Sequence, residues 1–518
     1  MIDGLRIPSH WCWATFGEVA DVASDLVNPT LTPNAIHIAP NHIESWTGRL
    51  LPFATIAEDR VTSAKHRFRV GQILYSKIRP YLAKAVFATF DGLCSADMYP
   101  VDSRIDTKYL LHWILTPWFT GVTARNQGRT ILPKINRDAL NRLPVPVAPF
   151  REQVQISAKI EELFSDLDAG VAALKRAKAN LKRYRAAVLK AAVEGKLTAE
   201  WRAKHPKTEP ASKLLERILV ERRKKWEGDQ LAKFTAAGKE PPKDWKAKYV
   251  EPLSPDSNDL LELPKGWCWA SVDQVSEVQG GIQKQPKRQP VLNAFPFLRV
   301  ANVLRNRLDL SEVHKIELFG NELERLRLCP DDMLIVEGNG SKTEIGRSAI
   351  WGGEIDNCVH QNHIIRVRFL AGTSRYLNAY WNSPVGNSRV TEQAASTSGL
   401  YTLSVAKVCD LPVPLPPESE QQQIVAEVEE RLSQIAATEQ QIEANLLRAS
   451  RLRQSILKQA FEGKLVAHDP KDEPAGVLLE HLRSYKTPHE TKGKASVKKQ
   501  RRRSPSTSTI TNYSTREL

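Results

Sequence analysis

The sequence predicts an α+β protein with two globular domains separated by two long antiparallel coiled-coil helices, related by an internal pseudo-two-fold repeat. Three observations predict it. One long unit is written twice, each copy mixes short β-branched and aromatic runs with a helical stretch, and each copy then runs into a heptad-patterned segment. At 518 residues the chain is also too long for one ordinary core.

The duplication is read residue by residue. Leu5, Pro8, Trp11, Cys12, Trp13, Ala14 and Val19 recur as Leu261, Pro264, Trp267, Cys268, Trp269, Ala270 and Val275. Further on, Ile73 and Leu74 recur as Met333 and Leu334, then Ala85, Val86 and Phe87 as Ala349, Ile350 and Trp351, and Cys94 as Cys358. Tyr109, Leu110 and Pro117 match Tyr376, Leu377 and Pro384, and Leu143-Pro144-Val145-Pro146 matches Leu411-Pro412-Val413-Pro414. Glu152, Gln153 and Ile156 match Glu420, Gln421 and Ile424, and Glu194-Gly195-Lys196-Leu197 matches Glu462-Gly463-Lys464-Leu465. The matches stay in order while their offset grows, which is what duplication followed by loop insertion leaves behind.

This divides the chain into a globular domain at 1–150, a long helix at 151–197, a polar helical linker at 198–258, a second globular domain at 259–418, a second long helix at 419–466, a short helical segment at 467–485 and a basic disordered tail at 486–518. In the globular parts, 70–75, 86–90, 333–336 and 364–367 read as strands and 109–118 as helix. In the first long segment Ile160, Leu163, Leu167, Leu174, Ala177, Leu181, Tyr184 and Val188 fall at a and d heptad positions. In the second, Val428, Ile435, Ile442, Leu452 and Ile456 fall in register, with Thr438 and Asn445 interrupting it. The Pro-rich runs at 144–149 and 412–417 stop the preceding element, and Gly195 and Gly463 are placed to end each helix. A helix of about 40 residues is roughly 60 Å long at ~1.5 Å per residue, too long for either small domain. Its narrow apolar stripe suits the helix of the other copy, and antiparallel pairing then sets the globular parts at opposite ends.

The net charge of +15 points to an anionic partner. Nine basic and two acidic residues lie in the tail, which leaves +8 for the body. Nothing reads as a signal peptide or a membrane span, so a soluble cytoplasmic protein is expected. Six cysteines without metal-ligand or redox spacing read as free thiols.

Catalytic chemistry is missing from the pattern. There is no glycine-rich cofactor loop after a strand and no Asn-Pro-Pro-aromatic motif of a methyltransferase. The run 338–343 fails as a phosphate loop because Ser341 stands where glycine must precede Lys342. His360 and His363 lack a thiol or carboxylate partner at fitting spacing, and no cluster marks a nuclease. No catalytic residue and no metal site is therefore expected.

Candidate DNA-reading residues lie where the copies diverge between similar flanks. These are Lys77, Arg79, Tyr81 and Lys84 in the first copy, and Asn339, Ser341, Lys342, Thr343 and Arg347 in the second. Arg and Lys can donate to guanine, Asn can pair with adenine, and hydroxyls can serve base or phosphate. Gln127, Arg129 and Thr130 form a second set, and the divergent stretches 28–42 and 283–288 a third.

Together these marks resemble the specificity subunits of Type I restriction–modification systems. They are Leu-Pro-x-x-Trp-x-Trp opening each copy, Leu-Pro-Val-Pro and then Glu-Gln closing each globular part, Glu-Gly-Lys-Leu ending each helix, and the Trp-rich linker at 226–245. The resemblance spans nearly the whole chain, although the tail is longer and more basic than the family pattern requires. It implies two target-recognition domains that each read half of a gapped double-stranded DNA target. It also implies helices that act as spacer and docking surface. The implied partners are methyltransferase (modification) subunits, which methylate adenine, and restriction/translocase subunits. S-adenosylmethionine, ATP and Mg are then expected on those partners, and no cofactor in this chain. Two alternatives stay open: a DNA-cleaving enzyme with an unrecognised nuclease centre, and a coiled-coil protein adaptor.

Overall fold

The computed structural model describes residues 4–125, 133–256, 260–341, 344–397 and 400–484. It divides into two compact units, one formed by 1–171 with 447–518 and the other by 172–446. Two helices of 44 residues, Phe150–Val193 and Glu418–Phe461, each contribute one end to each unit.

In the first unit, Cys12–Thr15 pairs antiparallel with Pro144–Val147. A four-stranded sheet runs in the order Ala20–Val22, Met98–Ser103, Ile73–Ser76, Ala85–Phe87. A five-stranded sheet beyond it contains the parallel pair Ile36–Ile38 and Gly92–Cys94. The second unit repeats the plan. Cys268–Ser271 pairs with Pro412–Leu415, and Ser276–Gly280, Ile364–Phe369, Met333–Val336 and Ser348–Ile350 form the matching four-stranded sheet. Ala294–Leu298 and Val359–His360 form the matching parallel pair.

The strands Ile73–Ser76 and Met333–Val336 are buried at every position because both faces are covered. With a side-chain period of two, Ile73 and Tyr75 enter one apolar cluster and Leu74 another; Met333 and Ile335 divide from Leu334 and Val336 in the same way. The proline-rich runs are themselves strands. Each belongs to a two-stranded ribbon, where a missing N–H costs no ladder bond on the outer side. Their proline carbonyls accept the Tyr109 hydroxyl on Pro146 (3.0 Å) and the Tyr376 hydroxyl on Pro414 (2.6 Å).

Strand register corrects two of the paired positions. Lys84 and Arg347 precede the equivalent strands, so Ala85–Phe87 corresponds to Ser348–Ile350, one residue short of the sequence pairing. The parallel pairs likewise match Cys94 with His360 rather than Cys358. The three-residue difference in the loop before these strands hides the true register from a one-dimensional alignment.

Each unit joins a globular domain to the start of one long helix and the end of the other. In the first, Ile160 and Phe164 share a core with Ile456, Leu457, Ala460 and Phe461, and with Ala475 and Leu479 of the helix Ala475–Ser484. In the second, Val188, Leu189 and Ala192 pack with Ile424, Val428, Trp267 and Tyr376. Antiparallel order is visible within each unit, from Asp168 paired with Arg453 in one, and from Lys178 with Glu443 and Arg185 with Glu439 in the other. Ile160, Val188, Val428, Ile435, Ile442 and Ile456 are buried, and Leu163, Leu167, Leu174 and Leu181 half-buried. Leu452 is a correction, being 49 % exposed. Its neighbour Arg453 takes the seam, with its guanidinium 4.0 Å from the centre of the Phe164 ring and its charge on Asp168. Tyr184 is exposed too, and ion pairs accompany the buried Ile435 and Ile442 along that stretch.

The recurrent Trp and Glu-Gln residues form one clamp in each unit. Glu152, in the first turn of its helix, is fully enclosed and accepts the Trp11 indole N–H (3.0 Å), with His10 Nε2 at 3.1 Å. Glu420 accepts the Trp267 indole N–H (2.9 Å), the Thr198 hydroxyl (2.7 Å) and Arg202. An acidic group here also faces the positive end of the helix macrodipole. Gln153 donates to the Ala148 carbonyl and accepts from the Asp106 N–H; Gln421 donates to the Ala371 and Pro416 carbonyls. The helix ends meet the same motif. Gly195 (φ +67°) and Gly463 (φ +68°) turn the chain in the left-handed region, and the following N–H groups of Lys196 and Lys464 return to the Ala191 and Gln459 carbonyls. A Cβ at Gly195 would lie 2.5 Å from Pro264, and one at Gly463 would collide with Pro8. Leu-Pro-x-x-Trp and Glu-Gly-Lys-Leu are therefore two sides of one contact, made once in each unit.

Removing one indole donor leaves a buried carboxylate short of a hydrogen bond. Trp11→Phe and Trp267→Phe are each expected to cost about 1.5–3 kcal/mol in urea unfolding, with the loss confined to the transition of the altered unit.

Candidate nucleic-acid interface

The loop between Ile73–Ser76 and Ala85–Phe87 carries the first set of candidate readers. Its path is tied down on the far side. Arg79 N–H donates to the Pro133 carbonyl (2.8 Å), Ile135 N–H donates to the Lys77 carbonyl (3.0 Å), and Ile78 bridges Lys134. Arg79 (φ +46°) and Ala83 (φ +44°) hold left-handed conformations unusual for side-chain-bearing residues, which this over-determined loop enforces. The structure thus joins the divergent loop to the segment that follows the second candidate set. Of that set, Gln127, Arg129 and Thr130 lie outside the described residues.

The equivalent loop of the second unit is built alike. Gly338–Asn339 pairs with Leu400–Thr402, which pairs in turn with Ala395–Thr397. Again a divergent loop is zipped to the divergent segment just before the Leu-Pro-Val-Pro strand. The Ser341 carbonyl accepts the Glu344 N–H and its side chain is exposed. Lys342 and Thr343 lie outside the described residues.

The candidates divide into two kinds by what they touch. Arg79 and Tyr81 are exposed, and Lys77 is half-buried, with its ammonium 4.9 Å from the centre of the Tyr99 ring. Burial, and then the nearby Lys134 ammonium, lower the pKa of Lys77. Lys134 itself pairs with Asp97 at 2.9 Å. Two converging cations beside one carboxylate make a place where a further anion is favoured. Lys134 and Tyr99 were not singled out in the sequence. Lys134 stands only a few residues beyond Thr130, and its chemistry emerges only when strand pairing sets it beside Lys77.

Lys84 and Arg347 behave differently. Lys84 Nζ donates to the Pro40 carbonyl (2.6 Å), and Arg347 donates to the carbonyls of Val303 (2.7 Å) and Val300 (3.0 Å). Pro40–His42 and Val300–Asn302 are corresponding turns. Both cations thus pin the same turn in their own domains. In the third set, Asn28 caps a short turn through Thr30, and Arg288 grips Glu322 through two bonds of 2.8 and 2.9 Å. His360 is buried, with Nδ1 on the Ile364 carbonyl, whereas His363 is exposed and pairs with Glu337.

Among the described residues two groups of side chains, His10 with Glu152 and His468, and His37 with His42 and Asp59, bring ligand-capable atoms within 4.8 Å of one another, and no helix is long and apolar enough to cross a membrane. All six cysteines are free.

The class that the fold defines is a duplicated α+β protein, in which each unit clamps a globular domain to long-helix segments and carries a polar divergent loop. No family model matches the chain. It is 50 % identical over 220 residues to the Type I restriction enzyme EcoDI specificity subunit of Escherichia coli, a match covering 42 % of this chain and 50 % of that protein. It is 26 % identical over 409 residues to the EcoKI specificity subunit of Escherichia coli (strain K12), covering 77 % of this chain and 75 % of that protein. The chain thus spans half the length of the first and three quarters of the second. A chain solved in work on complex assembly and conformational transition of the type I R-M system superposes with a TM-score of 0.62 at 17 % identity, covering 89 % of this chain and 99 % of that one. The chain is thus similar to specificity subunits of Type I restriction enzymes, closely over part of its length and distantly over most of it.

The division of labour among the basic residues is testable. Arg347→Met orphans two carbonyls and is expected to cost about 1–3 kcal/mol of stability, whereas Lys77→Met leaves urea unfolding nearly unchanged.

Proposed function

We propose that this chain is the sequence-specific DNA-binding subunit of a Type I restriction–modification complex. Each globular domain reads one half of a bipartite, gapped target, and the long helices scaffold the methyltransferase and restriction/translocase subunits. The observation that carries this reading is the recurrence, at one place in each copy of a shared frame, of a divergent polar loop zipped to a second divergent segment. A conserved frame with altered edges is what two readers of different half-sites require, since phosphate contacts set position and base edges set identity.

In this reading Lys77, with Lys134, holds a backbone phosphate, and Arg79 and Tyr81 face the bases. Asn339, Ser341, Lys342 and Thr343 serve the second half-site, and Arg129 and Thr130 support the first. Lys84 and Arg347 act by fixing the turns beneath. Two rigidly coupled half-sites multiply their selectivities, which suits a reader that must leave most of its own genome alone. S-adenosylmethionine, ATP and Mg belong to the partner subunits, and the cytoplasm is where such a complex meets DNA.

The test is DNA binding by the complex reconstituted with its methyltransferase subunits. Lys77→Ala and Lys134→Ala should each weaken binding similarly across sequences and lower the salt-dependence slope by about 1, while Arg79→Ala relaxes preference in one half-site only. Metal-dependent cleavage by the isolated chain would instead support a nuclease, and a complex leaving no footprint on any DNA would support a protein adaptor.

A further inference from the structure

The outer part of the second domain holds a basic cavity that neither the helix clamp nor the reading loop uses. It measures about 330 Å³. Lys284, Gln285 and Gln289 line it from the divergent stretch that follows Ser276–Gly280, and Phe297, Lys315 and Ile316 line it from the strands Ala294–Leu298 and His314–Glu317. Those two strands pair antiparallel, with Pro296 opposite Lys315 and Phe297 opposite His314. Arg288 and His314 also border the space.

No carboxylate lines this cavity, and two of its basic groups already have partners. Arg288 holds Glu322 through two bonds of 2.8 and 2.9 Å, and His314 Nε2 lies 2.8 Å from Glu312 Oε1. The Glu317 carboxylate close by is taken up by the backbone N–H groups of Val291 (2.8 Å), Asn293 (2.8 Å) and Leu292 (3.3 Å), which hold its pKa below the usual carboxylate value. Lys284 and Lys315 are exposed, and among the described residues neither makes an ion pair or a side-chain hydrogen bond. Two cations without a counter-charge on one cavity favour an anion there, and a lysine ammonium serves phosphate as a point charge.

The stretch that supplies Lys284 is rooted beside the second reading loop. Ile282 N–H donates to the His360 carbonyl (2.8 Å) and Asn362 N–H to the Ile282 carbonyl (2.9 Å), while Glu337 N–H donates to the His363 carbonyl (2.9 Å). Gly338–Asn339 follows Glu337 at once. The run 360–363 therefore carries the root of the lysine-bearing stretch on one side and the start of the reading loop on the other. Two strand spacings are about 10 Å, less than the ~12 Å width of a major groove, so a duplex that takes the loop in its groove brings its backbone to the stretch.

The sister domain shows that the frame does not require these lysines. Its corresponding stretch, 23–35, has Asp25 as its one charged residue, whereas 281–293 has Lys284, Lys287 and Arg288. By strand register Thr55 stands at the place of Lys315, and its N–H and hydroxyl donate to Glu58 at 2.8 and 2.9 Å. The same corner is thus basic in one domain and acidic in the other, which ties the lysines to what the second domain binds rather than to how it folds.

We propose that Lys284 and Lys315 together seat one phosphate of the DNA backbone flanking the second half-site, outside the bases met by the loop at Asn339. This rests on the DNA-binding reading given above. The test uses the complex reconstituted with methyltransferase subunits and a duplex carrying the motif that the complex methylates, with affinity followed against salt concentration. The double variant Lys284→Ala/Lys315→Ala is compared with Lys287→Ala, which removes a charge from the same stretch without lining the cavity, and with Lys77→Ala in the first domain. The double variant should lower the slope of log affinity against log salt by about 1 and leave the methylated motif unchanged, with Lys287→Ala at the wild-type slope. A wild-type slope in the double variant, an equal loss in Lys287→Ala, or an altered second block of the motif would overturn the seat while Lys77→Ala still lowers the slope. A complex that binds no DNA would remove the underlying reading and the seat with it.

Discussion

A carboxylate in the first turn of each long helix, enclosed by protein and held by a tryptophan N–H, is the constraint on which the rest of the structure depends. Burying a carboxylate is expensive unless its lone pairs are met, so the domain that supplies the donors and the helix that supplies the acceptor are fixed in one geometry. Trp11 with Glu152 and Trp267 with Glu420 make this bond in the two units. The remaining donors differ, histidine in one and Thr198 with Arg202 in the other. The invariant partner is the indole. Around it, the glycine turns at Gly195 and Gly463 leave room for Pro264 and Pro8 and bring the end of the other helix into the same joint.

A frame fixed in this way frees the outer loops to vary. The loops that diverge between the copies are not loosely hung. In the first domain the backbone bonds of Lys77, Arg79 and Ile135 hold the loop, and in the second the pairing of Asn339 with Tyr401 does so. Their side chains can then change with little effect on the fold beneath, and recognition by pre-placed groups loses less ordering entropy than recognition by a mobile loop. Lys84 and Arg347 mark the boundary between the two roles, since they sit inside the divergent stretch yet hold the backbone of corresponding turns.

Much of this was legible in the sequence because repetition and periodicity are one-dimensional signals. The order of matched residues revealed the duplication, and the heptads revealed the long helices. The residues that opened and closed each copy were those that meet in the clamp. Other features depended on contacts across the chain. The exposure of Leu452 and burial of Arg453 reflect a local preference for stacking on Phe164, which a heptad count does not register. The carbonyl contacts of Lys84 and Arg347 were not legible, because their partners lie more than forty residues away.

The central claim is that two clamped domains of one duplicated chain read two half-sites. A map of modified adenines in the genome of cells expressing this chain with the methyltransferase subunits of the proposed complex tests it most directly. The account predicts a motif of two short specified blocks separated by an unspecified gap of fixed length, with exchange of one globular domain altering one block alone. A single uninterrupted motif, or a domain exchange that alters both blocks together, would contradict it.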